Sequence, residues 1–176
     1  MSSETSLAAD DPAFRAWLRS LADDLGIDLE DHLGSPELLD FLWTTFTHNG
    51  SMHPARFAPL LGAYRQEHAK RTVAALLAEV HHDTGRTLDV PVLYEPPSER
   101  ELTGHLAVGH ERVRGVDPVD ITVEAAEGVQ CFLADTDRLI WPLCPDHHVA
   151  PHPARTSAGG AWVCSVTSHL VGTLPV

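Results

Sequence analysis

WPLCPDHHVAPHP, residues 141–153, places one cysteine and three histidines among four prolines. A second stretch, AWVCSVTSHL at residues 161–170, again places a cysteine before a histidine and behind a tryptophan. Thiolate sulfur and imidazole nitrogen are the donor atoms that structural zinc sites use most. We therefore expect the two stretches to meet at one metal ion and to decide how the C-terminal part of the chain folds.

The spacing within each stretch suits a pair of ligands on one turn. Two residues separate the first cysteine from its histidine and four separate the second pair, so each backbone segment can bend around one ion. Sixteen residues lie between the pairs, enough for two strands that bring the turns together. The predicted zinc ligands are Cys144, His147, Cys164 and His169. His148 or His152 can take the place of His147.

This arrangement resembles a zinc ribbon, in which two knuckles at the ends of β-hairpins hold one structural ion. The resemblance covers about residues 139–172. It differs from the usual ribbon in three respects: each knuckle has one cysteine instead of two, the second gap is wider, and the glycine after the second ligand is absent. The resemblance implies a zinc ion that is closed to substrate and that stabilises a small β unit.

An open metal site is the alternative interpretation of the same residues. If only Cys144, His147 and Cys164 bind, the fourth position can hold a water molecule whose pKa falls to about 7. Hydrolysis also requires a general base, for which Asp146 and the two spare histidines are the nearest candidates. A zinc-dependent hydrolase is therefore the second functional hypothesis.

Three amphipathic helices are predicted within a helical region at residues 10–86. A capping residue precedes a proline at Asp11-Pro12 and at Ser35-Pro36, which is typical of a helix start. Apolar residues then recur every three to four positions until a glycine follows each helix. The predicted helices cover residues 12–25, 36–49 and about 59–82.

Shorter elements are predicted in residues 87–176, a mixed α/β region. A capping box at Ser98 and Glu101 predicts a fourth helix over residues 98–113. Apolar residues alternate from residue 116 onward, which predicts a hairpin with its turn at Glu127-Gly128. Further strands are predicted at residues 88–94, 139–144 and 161–166.

The predicted fold class is α+β. A helical N-terminal half packs on a small antiparallel sheet that ends in the zinc-ribbon-like unit. No linker or low-complexity tract separates the regions 10–86 and 87–176, so we expect them to share one compact unit.

The charge of the chain restricts its partners. The chain has 12 Lys and Arg residues and 25 Asp and Glu residues, which gives a net charge of −13. Such a surface repels phosphate backbones, which makes nucleic acid an unfavourable partner even for a ribbon. A protein partner, and in particular a basic one, is favoured.

The N-terminus lacks the basic start and apolar run of a secretory leader, and no segment has the roughly 18 apolar residues of a membrane span. We therefore expect a cytoplasmic protein without a membrane partner. Three cysteines make no disulfide framework, and we expect Cys131 to be a buried apolar residue.

Motifs of nucleophilic or nucleotide-dependent enzymes are absent from the sequence. It contains neither Gly-x-Ser-x-Gly nor the glycine-rich phosphate loops. No catalytic residue is assigned. The favoured function is that of a non-catalytic, zinc-stabilised adaptor or regulatory protein with an acidic docking surface.

Overall fold

The computed structural model describes residues 11–175 of the 176-residue chain. These residues form four α-helices, one short 3₁₀ helix at Glu30–His32 and two three-stranded antiparallel sheets, which confirms the α+β class. The helices are α1 (Pro12–Leu25), α2 (Pro36–Asn49), α3 (Pro54–Thr84) and α4 (Pro118–Asp137). The strands are β1 (Val92–Glu95), β2 (His105–Val108), β3 (Glu111–Val113), β4 (His152–Thr156), β5 (Gly159–Val163) and β6 (Leu170–Thr173).

The first two helices lie where the sequence predicts them. The Asp11 carboxylate accepts hydrogen bonds of 2.8 Å from the N–H groups of Ala13 and Phe14, which satisfies two amides that the helix leaves unpaired. Gly26 ends α1 in the left-handed region at φ 68°. Local capping chemistry thus sets both ends of α1.

Helix α3 begins earlier than predicted. The sequence places its start at Pro59, because proline is favoured at the first helical position, but Pro54 occupies that position and His53 caps the helix. Pro59 lies inside the helix, and Gly85 ends it as predicted. The helix therefore has 31 residues.

Two apolar clusters form the core, and α3 contributes to both. Phe57 and Leu61, near its start, pack with α1 and α2, whereas Val73 and Leu76, further along, pack with α4 and the sheets. The division into regions 10–86 and 87–176 stays a prediction. Residue 10 lies outside the described residues. So does most of the N-terminal stretch from which the absence of a secretory leader is predicted. Within residues 11–175, no helix has both the length and the apolar character needed to cross a membrane.

The predicted helix over residues 98–113 is wrong, because this segment forms the β2–β3 hairpin. The capping box exists only as an isolated turn, in which the Ser98 hydroxyl accepts a bond of 3.2 Å from the Glu101 N–H. Gly104 and Gly109 then adopt φ +80° and +59°, values that an α-helix cannot contain. The left-handed glycines convert the segment into strands.

The predicted hairpin from residue 116 is also wrong, because Pro118–Asp137 is helix α4. Asp117 caps it, with Oδ1 accepting bonds of 2.8 and 3.1 Å from the N–H groups of Val119 and Asp120. Asp117-Pro118 therefore repeats the start signal of α1. Helix α4 packs on α3 and contacts β2 and β3 of the first sheet and β4 and β5 of the second.

The second sheet has the order β4-β5-β6. Residues 139–144 are irregular and do not form the predicted strand. Strand β4 begins at the end of the proline-rich stretch 141–153 and pairs Pro153 with Trp162 of β5. Strand β5 covers only the first part of the predicted strand at 161–166. The first sheet contains β1 at its edge, directly after Pro91, where a residue without an N–H group is tolerated.

Candidate metal centre

Two turns beside the second sheet supply the candidate ligands. The first turn, residues 144–149, connects α4 to β4, and the second, residues 164–169, connects β5 to β6. The Gln130 side chain on α4 fixes the loop of the first turn by donating to the Pro151 carbonyl at 2.8 Å. The sheet and α4 thus hold both turns in place.

The two turns share one hydrogen-bond pattern. In each, the cysteine N–H donates to the carbonyl five residues later, and the N–H four residues after the cysteine donates to the cysteine carbonyl. The bonds are Cys144 N to Val149 O (2.9 Å), His148 N to Cys144 O (2.8 Å), Cys164 N to His169 O (2.9 Å) and Ser168 N to Cys164 O (2.9 Å). His148 and Ser168 have φ 54° and 58°. Both residues occupy a left-handed backbone position that favours glycine. Each turn therefore keeps this backbone geometry although the glycine typical of a zinc ribbon is absent.

The structure brings the four predicted ligand residues together. Their ligand atoms all lie within 4.8 Å of one another. Cys144 Sγ lies 3.4 Å from His147 Nδ1 and 3.5 Å from His169 Nε2, and Cys164 Sγ lies 3.4 Å from His147 Nδ1. Tetrahedral zinc with the usual bond lengths separates sulfur from nitrogen by about 3.6 Å. The observed spacing matches a single tetrahedral ion, and the cluster can hold one.

Cys164 lies in an environment that favours its thiolate form. Both cysteine side chains are fully buried. Burial opposes ionisation of Cys164, but hydrogen bonds from the N–H groups of Val166 and Thr167, from the Cys144 thiol and from the Thr167 hydroxyl stabilise the thiolate, and the pKa falls to about 6. The Val166 N–H donates to Sγ at 3.4 Å. A deprotonated cysteine is the form that binds metal.

Thr167 contacts two of the candidate ligands. Its Oγ1 lies 2.7 Å from His169 Nδ1. In the tautomer that leaves Nε2 free to bind a metal ion, Nδ1 carries the proton and donates to this oxygen, while the hydroxyl proton is free to donate to Cys164. Thr167 therefore fixes the orientation and tautomer of His169.

Replacement of Thr167 tests this support. Thr167→Val keeps the side-chain shape but removes the acceptor for His169, and we expect metal affinity to fall about 10- to 100-fold while the fold is retained. Competition with a chromophoric chelator measures the affinity. Ser165→Ala is the matched control, because that hydroxyl donates to the Ala150 carbonyl at 3.0 Å and not to a ligand. Equal affinity of Thr167→Val and the wild type would contradict this role.

The alternative candidates lie outside the cluster. His148 and His152 are exposed, and neither belongs to the group of four ligand atoms. Asp146 is also exposed, although its Oδ2 lies 3.5 Å from His169 Nε2. Cys131 is half-buried on α4 and not in the core as predicted, with its Sγ 4.0 Å from Glu127 Oε1.

A second group of possible ligands was not predicted from the sequence. His32, Asp117 and Asp120 have ligand atoms within 4.8 Å of one another. Arg155 donates to both aspartates, at 2.6 and 2.7 Å, and lowers the pKa of Asp117 even though burial of that carboxyl opposes ionisation. The guanidinium already supplies the positive charge that these carboxylates require. Of these three residues, only Asp117 belongs to a recognisable sequence signal, the Asp117-Pro118 helix start.

The tryptophans before the two cysteines pack against each other. Trp141 and Trp162 are buried, with ring centroids 5.9 Å apart and planes at 81°. Trp141 Nε1 donates to Asp83 of α3 at 3.0 Å, which attaches the segment before the first turn to the helical part of the chain.

Comparison with known proteins found no matching family model, no matching curated protein and no matching solved structure.

Proposed function

We propose that this chain is a non-catalytic binding protein, an adaptor or regulator, whose C-terminal unit is stabilised by one zinc ion. The observation that carries the proposal is the four-residue cluster, in which two sulfur and two nitrogen atoms lie within 4.8 Å of one another, with three sulfur–nitrogen distances of 3.4 to 3.5 Å. Four protein ligands complete the coordination of a structural zinc and leave no position for substrate. The second sheet has only three short strands, for which a bound ion supplies stability that its small core lacks.

The donor set favours zinc over other metals. Two thiolates and two imidazoles in a tetrahedral arrangement are typical of zinc, whereas hard cations take oxygen ligands. The resemblance to a zinc ribbon supports the same choice. A reducing compartment such as the cytoplasm keeps both thiols available, and the three cysteines are unpaired.

The hydrolase hypothesis requires the fourth position to open. His169 Nε2 lies 3.5 Å from Cys144 Sγ, within reach of an ion bound at the cluster, and Thr167 holds its ring. The histidines proposed as bases, His148 and His152, are exposed. These positions favour the closed site.

The proposed docking surface is the acidic segment at residues 23–31. It contains five carboxylates and no lysine or arginine. Asp23, Asp24, Asp28 and Asp31 are exposed, while Glu30 pairs with Arg19 at 3.6 Å. Carboxylates at this density attract a basic partner over distances up to the Debye length.

Charge neutralisation with a matched control tests this surface. The first variant changes Asp23, Asp24, Asp28 and Asp31 to asparagine. The control removes the same charge from exposed residues elsewhere, at Asp40, Glu67, Asp89 and Asp135. We expect the wild type and the control to retain an arginine-rich peptide at low salt, and the segment variant to lose most of this retention. Retention that is insensitive to salt, or equal in both variants, would contradict electrostatic docking at residues 23–31.

A further inference from the structure

Four arginines line one cavity of about 380 Å³ on the side of the molecule formed by α1, α3 and the first sheet. They are Arg65, Arg100, Arg112 and Arg114, and the remaining lining includes a single carboxylate, Glu101. A third of the lysines and arginines of an acidic chain are therefore concentrated at this cavity. Such a concentration of positive charge focuses an attractive potential for anions.

The buried arginine forms no ion pair with a carboxylate of the described residues. Arg65 is 3% exposed and donates only to neutral oxygens, the carbonyls of Val113 (2.6 Å) and Gly115 (2.8 Å) and the Thr103 hydroxyl (3.4 Å). Within residues 11–175 no carboxylate forms an ion pair with it. A buried charge is costly unless an opposite charge compensates it. Arg65 is thus a buried cation at the cavity that carboxylates, chiefly Glu124, offset only from beyond ion-pair distance.

Two further arginines have guanidinium groups that are free to bind a ligand. The side chains of Arg100 and Arg114 are exposed and have no hydrogen-bond or ion-pair partner in the described part of the chain. Arg112 differs, because it forms an ion pair with Glu101. The Glu124 carboxylate accepts the backbone N–H groups of Arg114 and Gly115, which fixes the position of that loop. Arg114 is therefore held beside the cavity with its side chain unpaired.

Part of the cavity wall is apolar or uncharged. Leu25, Ile27 and Leu102 line it, together with the backbones of Gly26 and Gly104. Asp24 and Asp28, whose carboxylates are exposed, are the sequence neighbours of Leu25 and Ile27. They make no ion pair with the four arginines and do not line the cavity. A ligand in this cavity would meet both guanidinium groups and aliphatic side chains.

A buried hydroxyl without a partner lies behind the cavity wall. Tyr94 Oη has no hydrogen-bond partner among the described residues, and it lies 2.9 Å from the position that a Cβ on Gly104 would occupy. Buried polar atoms are rarely left unpaired in folded proteins. The absence of a side chain at Gly104 leaves this hydroxyl close to the lining.

We infer that this cavity binds a small organic oxyanion of the phosphate-monoester class, with the phosphate at the arginines and a short uncharged body against Leu25, Ile27 and Leu102. The volume lies within the range of small-molecule sites, and arginine recognises phosphate through parallel hydrogen bonds. The site is separate from the cysteine and histidine cluster. Its occupancy is independent of the proposed zinc.

Calorimetric titration of the full chain with phenyl phosphate tests the inference. We expect one binding site per chain, weaker binding at high salt, and no binding of benzyl alcohol, which has the ring but no charge. Arg100→Ala and Arg114→Ala, both on exposed side chains, should each lower the affinity about tenfold, because each removes a charged hydrogen bond. Arg65 is left unchanged, since its replacement also removes bonds within the fold.

Arg56→Ala is the matched control, because Arg56 is exposed on α3 and does not line the cavity. The affinity of the Arg56→Ala variant for phenyl phosphate should equal that of the wild type. The inference is overturned if the wild type does not bind phenyl phosphate. It is equally overturned if the Arg100 and Arg114 variants bind as well as the wild type, or if Arg56→Ala loses as much affinity as they do.

Discussion

Cys144→Ala and Cys164→Ala are expected to lose the bound metal and to lower the free energy of unfolding by about 4 kcal/mol or more. For a chain of this length, that loss lowers the melting temperature by about 10 °C. The reason is that each cysteine is one of four candidate ligands in a cluster that joins the turn before β4 to the turn between β5 and β6. Loss of the ion releases both turns together.

Cys131→Ala is the matched control for these variants. Cys131 lies on α4, half-buried and outside the cluster, so its replacement should keep one metal ion per chain and change stability by less than about 1 kcal/mol. Adding a chelator then distinguishes destabilisation caused by loss of the metal from destabilisation caused by loss of side-chain packing. It should lower the melting temperature of the wild type and of Cys131→Ala, but not that of Cys164→Ala.

The same variants distinguish a structural ion from a catalytic one. A metal that serves catalysis can leave while the fold persists. If Cys164→Ala lost the ion but unfolded at the wild-type temperature, a structural role would be contradicted and the hydrolase hypothesis would gain support. An activity screen with His169→Ala would then be the next experiment.

Gly128→Ala is expected to destabilise the protein by about 2 kcal/mol, although alanine in the middle of a helix normally adds about 1 kcal/mol over glycine. Helix α4 crosses β2 so closely here that a Cβ on Gly128 would lie 2.5 Å from the Val108 carbonyl oxygen and 2.9 Å from Val108 Cβ. The contact is with backbone, which cannot move aside as a flexible side chain does. Helix and strand must separate to admit the methyl group.

Gly172→Ala serves as the control for this prediction. A Cβ at Gly172, on β6, would meet its first neighbour, Trp162, only at 4.0 Å, so we expect its stability to stay within about 1 kcal/mol of the wild type. Chemical denaturation of both variants measures the difference. A Gly128→Ala variant as stable as the wild type would contradict the close packing of α4 on β2.

Local chemistry made α1, α2 and the four-residue cluster predictable from the sequence. Asp11-Pro12 and Ser35-Pro36 mark helix starts because proline is favoured at the first helical position, which depends on neighbouring residues alone. The Asp11 carboxylate also caps α1, whereas the Ser35 side chain makes no capping bond. Each half of the cluster is likewise a pair on one turn, so its spacing is visible in the chain. Signals of this kind do not depend on the tertiary fold.

Between residues 98 and 137 the local signals conflict: Asp117-Pro118 repeats the helix start of α1, but the residues that follow it do not favour a helix. The segment after Asp117 is rich in β-branched residues and contains Gly128, features that favour strands and turns, yet packing against α3 and both sheets makes it a helix. Conversely, the capping box at Ser98 and Glu101 forms a turn but no helix, because left-handed Gly104 follows. In both segments tertiary contacts and glycine geometry outweighed the local pattern.

The supporting residues of the two candidate sites depend on the folded geometry. Thr167 lies in the second turn and contacts His169 because of the way this turn bends, which the spacing of the ligands does not indicate. The arginines of the cavity come from α3, from the loop before β2, from β3 and from the loop after it. Residues so distant in the chain form one site only when the first sheet packs on α3.

Elemental analysis of untagged, dialysed protein, with melting curves before and after chelation, tests the proposed zinc centre most directly. We predict about one zinc ion per chain and a large fall in the melting temperature when the chelator removes it. Protein that contains no metal and melts at the same temperature with or without the chelator would contradict the proposed zinc centre.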